Sequence, residues 1–321
     1  MLKEQASNTL QLEKNVPLKN LNTWKVGGNA ELVFRASSLE SVIVLRKNYP
    51  NKKITSIGLG SNVLIRDQGI NGIVLLSNPG MNNIEVITDK RKILDKLSLS
   101  NQIKDCLFPN ILDTEYVIIR AESGVPSPKL AKYCQKNQLN GLSFLAGIPG
   151  TIGGALYMNA GAFGGETYTN VLAIESVDTK ACVVNLLAKD LEVNYRHVKF
   201  PENIIITAGY FVLKKNVTGY DNSNEIKEYL RKRSISQPIG KFSCGSVFKN
   251  PKNNYAARLI EECKLKGYKI GGAEVSMKHA NFILNTGDAT ASDIEELIYF
   301  VQNKVFQETG ISLETELKIL G

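Results

Sequence analysis

The stretch over residues 141–165 constrains this chain more than any other. It holds Gly141, Gly147, Gly150, Gly153, Gly154, Gly161, Gly164 and Gly165, 8 of the 26 glycines in 25 of 321 positions. Average glycine usage would put about two there. A residue without Cβ takes positive φ cheaply and lets a ligand lie against bare N–H groups, so the backbone itself is the working surface. No Lys-Ser/Thr pair follows the glycines, and Gly150-Thr151-Ile152-Gly153-Gly154-Ala155 does not follow a strand, which argues against a P-loop and a dinucleotide fingerprint. Pro149, Asn159 and Glu166 interrupt the apolar length that a membrane contact motif requires. Tight packing of small residues is the plain alternative.

A second backbone-rich turn precedes it. The β-branched run at 54–57 leads into Gly58-Leu59-Gly60-Ser61-Asn62 and then into a second strand at 63–66. Consecutive amides, a hydroxyl and a carboxamide suit a phosphate. Taken alone, such a turn is as often a simple hairpin, and strand followed by strand argues against a Rossmann unit.

A length of 321 residues suggests about two domains. The net charge of +8 and pI near 9.1 favour an anionic ligand. Lys and Arg are spread along the chain with no aromatic-interleaved basic block, so a small anion is expected rather than nucleic acid. The leader MLKEQASNTLQLEKN has no apolar core and no later stretch approaches a membrane span, so a soluble cytoplasmic protein is expected. Cys106, Cys134, Cys182, Cys244 and Cys263 form no CxxC pair and are expected as free thiols. His197 and His279 are the only histidines, too few for a His-built metal site or a Ser-His relay, and no metal is expected.

Hydrophobic periodicity and cap residues predict a helix opened by Ser38, with Glu40 in its first turn and Val42, Ile43 and Leu45 on one side, and helices at 127–135 (with Leu130, Ala131 and Cys134 inward), 224–234, 255–263 and 290–309. Strands are predicted at 31–35, 72–77, 84–88, 116–120, 172–177, 182–187, 204–213 and 313–319, those at 172–213 with alternating burial. The Lys-rich segment 89–113 shows no clear period and reads as a surface excursion. A domain boundary is expected near 217–221.

Eight motifs then stand in one order: NTWKVGGNA at 22–30, GLGSN at 58–62, GIPGTIGGALYMNAGAFGGE at 147–166, Tyr195-Arg196, CGSVFKNP at 244–251, LKGYKIGGA at 265–273, KHANFILN at 278–285 and LETELKILG at 313–321. In this order they resemble the UDP-N-acetylenolpyruvoylglucosamine reductase family across nearly the whole chain, in its shorter type without a Tyr-bearing substrate loop. The resemblance implies an α+β fold: a two-subdomain FAD-binding module of the vanillyl-alcohol-oxidase-like (PCMH) type over 1–218, with subdomains of about 1–80 and 81–218, and a C-terminal α+β substrate domain over 219–321. It implies NADPH-dependent, FAD-mediated reduction of UDP-N-acetylglucosamine enolpyruvate to UDP-N-acetylmuramate in peptidoglycan precursor synthesis, by a protein expected to be a monomer. FAD is expected to be non-covalent, since no histidine stands in 58–62.

Carried over position by position, Gly58, Leu59, Gly60, Ser61, Asn62, Gly147, Ile148, Pro149, Gly150, Thr151, Gly153, Gly154, Asn159, Ala160 and Gly161 would hold FAD. Arg196, Ser246 and Glu316 are implied as catalytic: Arg196 and Glu316 stabilise charge on the substrate carboxylate, and Ser246 delivers a proton. Lys249, Asn250 and Lys266 are implied as substrate contacts. Two positions depart from the family pattern. Val198 stands where many members carry Ser, leaving a hydrogen bond near Arg196 either missing or supplied by another group, and Ser236 stands where relatives often place a basic residue before Gln-Pro, which puts one substrate phosphate contact in question. An oxidase on the same flavin scaffold is the rival reading; a non-catalytic regulator would have lost Arg196, Ser246 and Glu316.

Overall fold

A computed structural model describes residues 10–97, 111–216 and 222–321. The first layer contains β1 (Leu12–Pro17), β2 (Asn29–Arg35), α1 (Leu39–Asn48), β3 (Ile54–Ile57), β4 (Val63–Ile65) and β5 (Ile70–Leu76). Its sheet runs β1-β2-β5-β3, with β1 antiparallel to β2, and β2 and β3 both parallel to β5. Ser38 and Ser41 form a reciprocal cap at the start of α1, which buries Val42 and Leu45 against Phe34, Ile73 and Leu75. β4 leaves this sheet, which matters below.

The second layer contains β6 (Ile84–Ile87), α2 (Lys90–Lys96), β7 (Tyr116–Glu122), α3 (Ser127–Lys136), β8 (Leu139–Asn140), α4 (Ile152–Met158), β9 (Gly161–Ala162), β10 (Gly165–Glu166), β11 (Val171–Val177), β12 (Val183–Leu187), β13 (Glu192–Asn194), β14 (His197–Lys199) and β15 (Ile205–Lys215). The antiparallel sheet runs β12-β11-β15-β7-β6, and β8 pairs with the end of β15. The expected alternation fails at β11, whose seven residues are all buried. Both faces of the sheet are covered: Ile174 and Phe211 join Leu130 and Leu156 of α3 and α4, while Leu172, Tyr210 and Val212 join Ile93 and Leu94 of α2.

The helix α2 corrects the expectation of a surface excursion. Asp89 caps it by accepting the Lys92 amide, and Ile93, Leu94, Leu97 and Ile111 are buried against the sheet. The rest of that segment, with Cys106, lies outside the described residues. Cys134, Cys182, Cys244 and Cys263 are free thiols.

The third part contains α5 (Asn222–Ser236), α6 (Ala256–Glu262), β16 (Lys269–Ile270), β17 (Ala273–Val275), β18 (Ile283–Asn285), α7 (Ala291–Thr309) and β19 (Lys318–Leu320). α7 starts at a Thr290–Asp293 capping box and ends at Gly310 with φ +71°. The strand expected at 313–319 is shorter than predicted. Lys249 donates its amide to Glu314 and Glu316 donates to Val247; the chain then changes partner, and β19 runs parallel to β4.

This part shares a core with the beginning of the chain. Trp24, Val26 and Leu64 pack with Leu259, Ile283, Leu297 and Val301. Trp24 Nε1–H donates to Ile283 O at 2.8 Å, and Asn285 Nδ2 donates to Trp24 O at 2.9 Å. Asp67 accepts the Ala291 and Ser292 amides at the start of α7, and Arg66 makes a two-pronged pair with Glu295 at 2.7 and 2.9 Å. No helix among the described residues is long and apolar enough to cross a membrane.

Candidate active site

The loop 58–62 between β3 and β4 meets the turn 149–151 ahead of α4. Ser61 Oγ donates to Pro149 O at 2.8 Å. A Cβ on Gly58 would fall 2.5 Å from Thr151 Oγ1, and one on Gly60, whose φ is +64°, 2.3 Å from Leu21 O. Only glycine allows this approach. Thr23 holds the loop from behind, its amide and hydroxyl both donating to Gly60 O.

The amides of Leu59, Gly60, Ser61 and Gly150 have no acceptor among the described residues. Those of Ile152 and Gly153 are bound to Val125 O and Ser123 O, and the Gly154 amide leans on Thr151 Oγ1. The glycine stretch therefore has two uses. Gly153 packs α4 onto Ser123, where a Cβ would lie 2.9 Å away, while the turn around Gly150 keeps its donors free. Behind it the buried Ser123 and Ser127 hydroxyls lack partners. Bare amides on two facing loops, with no room for a Cβ, fit a phosphate-bearing cofactor such as FAD.

Arg196 stands in the two-residue turn of the β13–β14 hairpin, next to the Asn194–His197 pair, with φ +54°. Its guanidinium reaches three groups. Nη2 donates to Gly161 O, Nη1 to Asn159 O at 3.4 Å and Nε to Glu316 Oε1 at 3.2 Å. The Tyr195 ring lies 4.8 Å from the guanidinium carbon. Asn159, left-handed at the end of α4, ties this corner together: Nδ2 donates to Glu166 and to Asn194 O, and Oδ1 accepts the Tyr168 amide. Val198 is buried in the sheet core, so backbone carbonyls orient Arg196.

Glu316 links the remaining segments. Its amide donates to Val247 O at 2.8 Å, and its carbonyl accepts Asn62 Nδ2 at 3.4 Å. Ser246 is half-buried and immediately precedes Val247, after Gly245 with φ +84°. The fold thus brings Arg196 and Glu316 into contact, with Asn62 and the Ser246 segment attached to the same strand. Burial pushes the Glu316 carboxyl above its ordinary pKa, opposed by Arg196 and then Lys249.

The three expected substrate contacts are less unified. Lys249 Nζ pairs with Glu314 at 3.2 Å beside Glu316. Asn250 Oδ1 accepts the first amide of α6, and Lys266 pairs with Glu261 at 2.9 Å. Lys318 escaped the sequence reading. It lies two positions beyond Glu316, at the start of β19, and its Nζ sits 5.8 Å from the Tyr157 ring centre. Burial and then the nearby Lys249 hold its pKa below the usual lysine range.

Residues 237–320 match the family model for the UDP-N-acetylenolpyruvoylglucosamine reductase C-terminal domain, and residues 101–186 match an FAD binding domain model. The chain is 45% identical over 307 residues to a UDP-N-acetylenolpyruvoylglucosamine reductase of Coxiella burnetii (strain Dugway 5J108-111), covering 95% of this chain and 94% of the relative. It is 41% identical over 306 residues to the enzyme so named from Methylococcus capsulatus, covering 95% and 91%. The crystal structure of UDP-N-acetylenolpyruvylglucosamine reductase from Thermus caldophilus superposes with a TM-score of 0.76 at 28% identity, over 97% of this chain and 100% of that one. With this likeness running through both the glycine-lined cradle and the Arg196–Glu316 corner, the chain belongs to the UDP-N-acetylenolpyruvoylglucosamine reductase family.

Proposed function

We propose that this chain, an FAD-dependent oxidoreductase, uses NADPH to reduce UDP-N-acetylglucosamine enolpyruvate to UDP-N-acetylmuramate, and that Arg196, Glu316 and Ser246 manage the substrate's charge and proton. The observation that carries the residue roles is the contact between Arg196 and Glu316, 120 positions apart, beside two loops of bare amides. FAD, when bound, supplies hydride transfer between NADPH and the enolpyruvyl double bond. The free amides of Leu59, Gly60, Ser61 and Gly150 would take its diphosphate, without a covalent link.

Adding hydride to the terminal carbon leaves negative charge on its neighbour, spread into the substrate carboxylate. Arg196 is pre-oriented by the carbonyls of Asn159 and Gly161 to meet that charge. Burial pushes the Glu316 carboxyl up, and in this reading it would share a proton with the same carboxylate. Ser246 would give the final proton. A hydroxyl is a weak acid, so this works only toward a base as strong as an enolate.

Lys249, beside Glu316, would face the substrate; Asn250 keeps its Nδ2 available, and Lys266 would reach a diphosphate. The division into an FAD-binding module over 1–218 and a substrate domain over 219–321 places Arg196 in the first and Ser246 and Glu316 in the second, with the substrate between them. A cytoplasmic monomer is the setting this reading adopts.

Stopped-flow mixing of NADPH-reduced enzyme with UDP-N-acetylglucosamine enolpyruvate tests the proton donor. Reoxidation by substrate should be slower by about 10²–10⁴ in Ser246→Ala. An equal rate in the variant removes Ser246 from the role. Anaerobic reduction by NADPH separates a reductase from an oxidase, which NADPH would leave yellow.

A further inference from the structure

The tip of the β9–β10 hairpin is built against the preference of its residues. Phe163 and Gly164 are its two central positions, with φ of +54° and +86°. Two consecutive positive φ angles make the mirror-image turn that suits a two-residue hairpin, and that turn calls for Asn or Gly at the first position. A phenylalanine is strained there and stays only where its surroundings hold it. Gly164 adds nothing to that hold, since no atom lies within 4 Å of where its Cβ would stand.

Two surfaces hold the Phe163 ring. It lies against Gly147, at the end of the turn Ser143–Gly147, where an added Cβ would fall 2.9 Å from Phe163 Cε2. Its face is stacked on Tyr229 of α5, with 4.4 Å between ring centres and the planes 3° apart. That helix is seated on two parts of the fold. Ile226, one turn before Tyr229, is buried in the core of the large sheet, and the Ser234 carbonyl accepts Lys278 Nζ at 2.6 Å from the turn before β18. The Tyr229 hydroxyl is engaged within the helix, donating to Glu225 Oε1 at 2.6 Å, so it is the ring that meets the hairpin.

Two residues before Phe163, Gly161 pairs with Glu166 across the hairpin and presents the carbonyl to which Arg196 Nη2 donates. Glu166 in turn accepts Asn159 Nδ2 at 3.1 Å, and Asn159 O accepts Arg196 Nη1. A shift of the hairpin therefore moves two of the three groups that orient the guanidinium, Glu316 being the third. We propose that Tyr229 is a positioning residue: by holding Phe163 it fixes the hairpin, and through it the Arg196 guanidinium. This rests on the proposed function and adds to it a residue from beyond position 218 that acts only through Arg196. A misplacement of about 1 Å can cost 10²-fold in rate, so a small tilt of the hairpin is enough to be read.

The test follows the two half-reactions of FAD-loaded enzyme separately by stopped flow. Tyr229→Leu keeps an apolar side chain on α5 but removes the ring. It should slow reoxidation of the reduced enzyme by UDP-N-acetylglucosamine enolpyruvate by about 3- to 10-fold, the scale of a lost aromatic pair. Flavin content and the rate of reduction by NADPH should stay within about twofold of wild type, whereas a merely structural role would lower both along with the reoxidation rate. Tyr229→Phe, which keeps the ring, should match wild type. In an Arg196→Met background Tyr229→Leu should cost nothing further, because the group it positions is gone. Reoxidation of Tyr229→Leu within twofold of wild type overturns the inference, and so does an undiminished loss in the Arg196→Met background. If Tyr229→Leu does not fold, Phe163→Leu at the hairpin tip carries the same expectations. Reduced wild-type enzyme that the substrate does not reoxidise would instead sink the proposed function itself.

Discussion

Two arginine–glutamate pairs in this molecule use the same side chains for opposite ends. Arg120 and Glu175 meet within the large sheet, where Glu175 is 1% exposed and receives four donors: Arg120 Nη2 at 2.6 Å and Nε at 3.3 Å, Thr207 Oγ1 at 3.0 Å and Tyr210 OH at 3.3 Å. Burial pushes its pKa up, but Arg120 and Thr207 more than offset this and hold it below the usual carboxylate range. Glu316 is half-buried, and among the described residues it has only the Nε of Arg196, whose Nη groups face backbone carbonyls. Its pKa ends above the usual range. The number of donors, more than the presence of an arginine, decides which carboxyl is pulled down and which is pushed up.

The comparison breaks first at Arg120. Arg120→Met leaves Glu175 as a buried charge without its main partner and should cost about 3–5 kcal/mol of stability, read by urea unfolding. A loss below 1 kcal/mol would mean the sheet pair is as loosely satisfied as the Arg196–Glu316 pair. Arg196→Met should do the reverse, lowering NADPH-dependent turnover by about 10²–10³-fold while the unfolding midpoint moves less than for Arg120→Met.

Titration sharpens the contrast, because the signs are opposite. With a depressed pKa, Glu175 stabilises the fold above its unfolded pKa, and that contribution is lost as pH falls through the folded value. With a raised pKa, Glu316 binds its proton more tightly when folded, so stability falls as pH rises from the unfolded value to the folded one. Glu316→Gln should therefore gain stability relative to wild type as pH rises across that window, by about 1.4 kcal/mol per pKa unit, and Glu175→Gln should lose stability relative to wild type as pH rises across its own lower window, from the folded value of Glu175 to the unfolded one. Denaturant melts at several pH values decide this; parallel curves for the two variants would refute it. The smallest effect belongs to Thr207→Val, which removes one donor from Glu175 and should cost about 1 kcal/mol with turnover unchanged.

Much of this was readable before any coordinates. Ser38 and Thr290 open helices where their hydroxyls suggested, and the two glycine turns are bare because Gly58 and Gly60 sit where no Cβ fits and Gly150 takes a φ of +137°. Local chemistry suffices for such features. The Arg196–Glu316 contact depends instead on how a hairpin turn, a helix end and a strand from distant segments are packed, and only the ordered motifs pointed to it. Pattern failed in two places for definite reasons. β11 carries apolar residues on both sides because helices cover both faces of its sheet, and α2 hides Ile93, Leu94 and Leu97 among lysines whose charges masked the period. Lys318 was missed because nothing in a lysine near a strand reveals the cation beside it.

The pairing of β4 with β19 joins positions 63–65 to 318–320. Trp24, Val26 and Leu64 likewise share their core cluster with residues beyond 240. During synthesis the first layer must therefore wait, with an indole and a strand edge uncovered, until the segment about 250 residues further on has left the ribosome. Glu316 arrives in the same closing segment, so the stroke that seals this early core also delivers the carboxyl that meets Arg196, and a nascent chain cannot acquire one without the other.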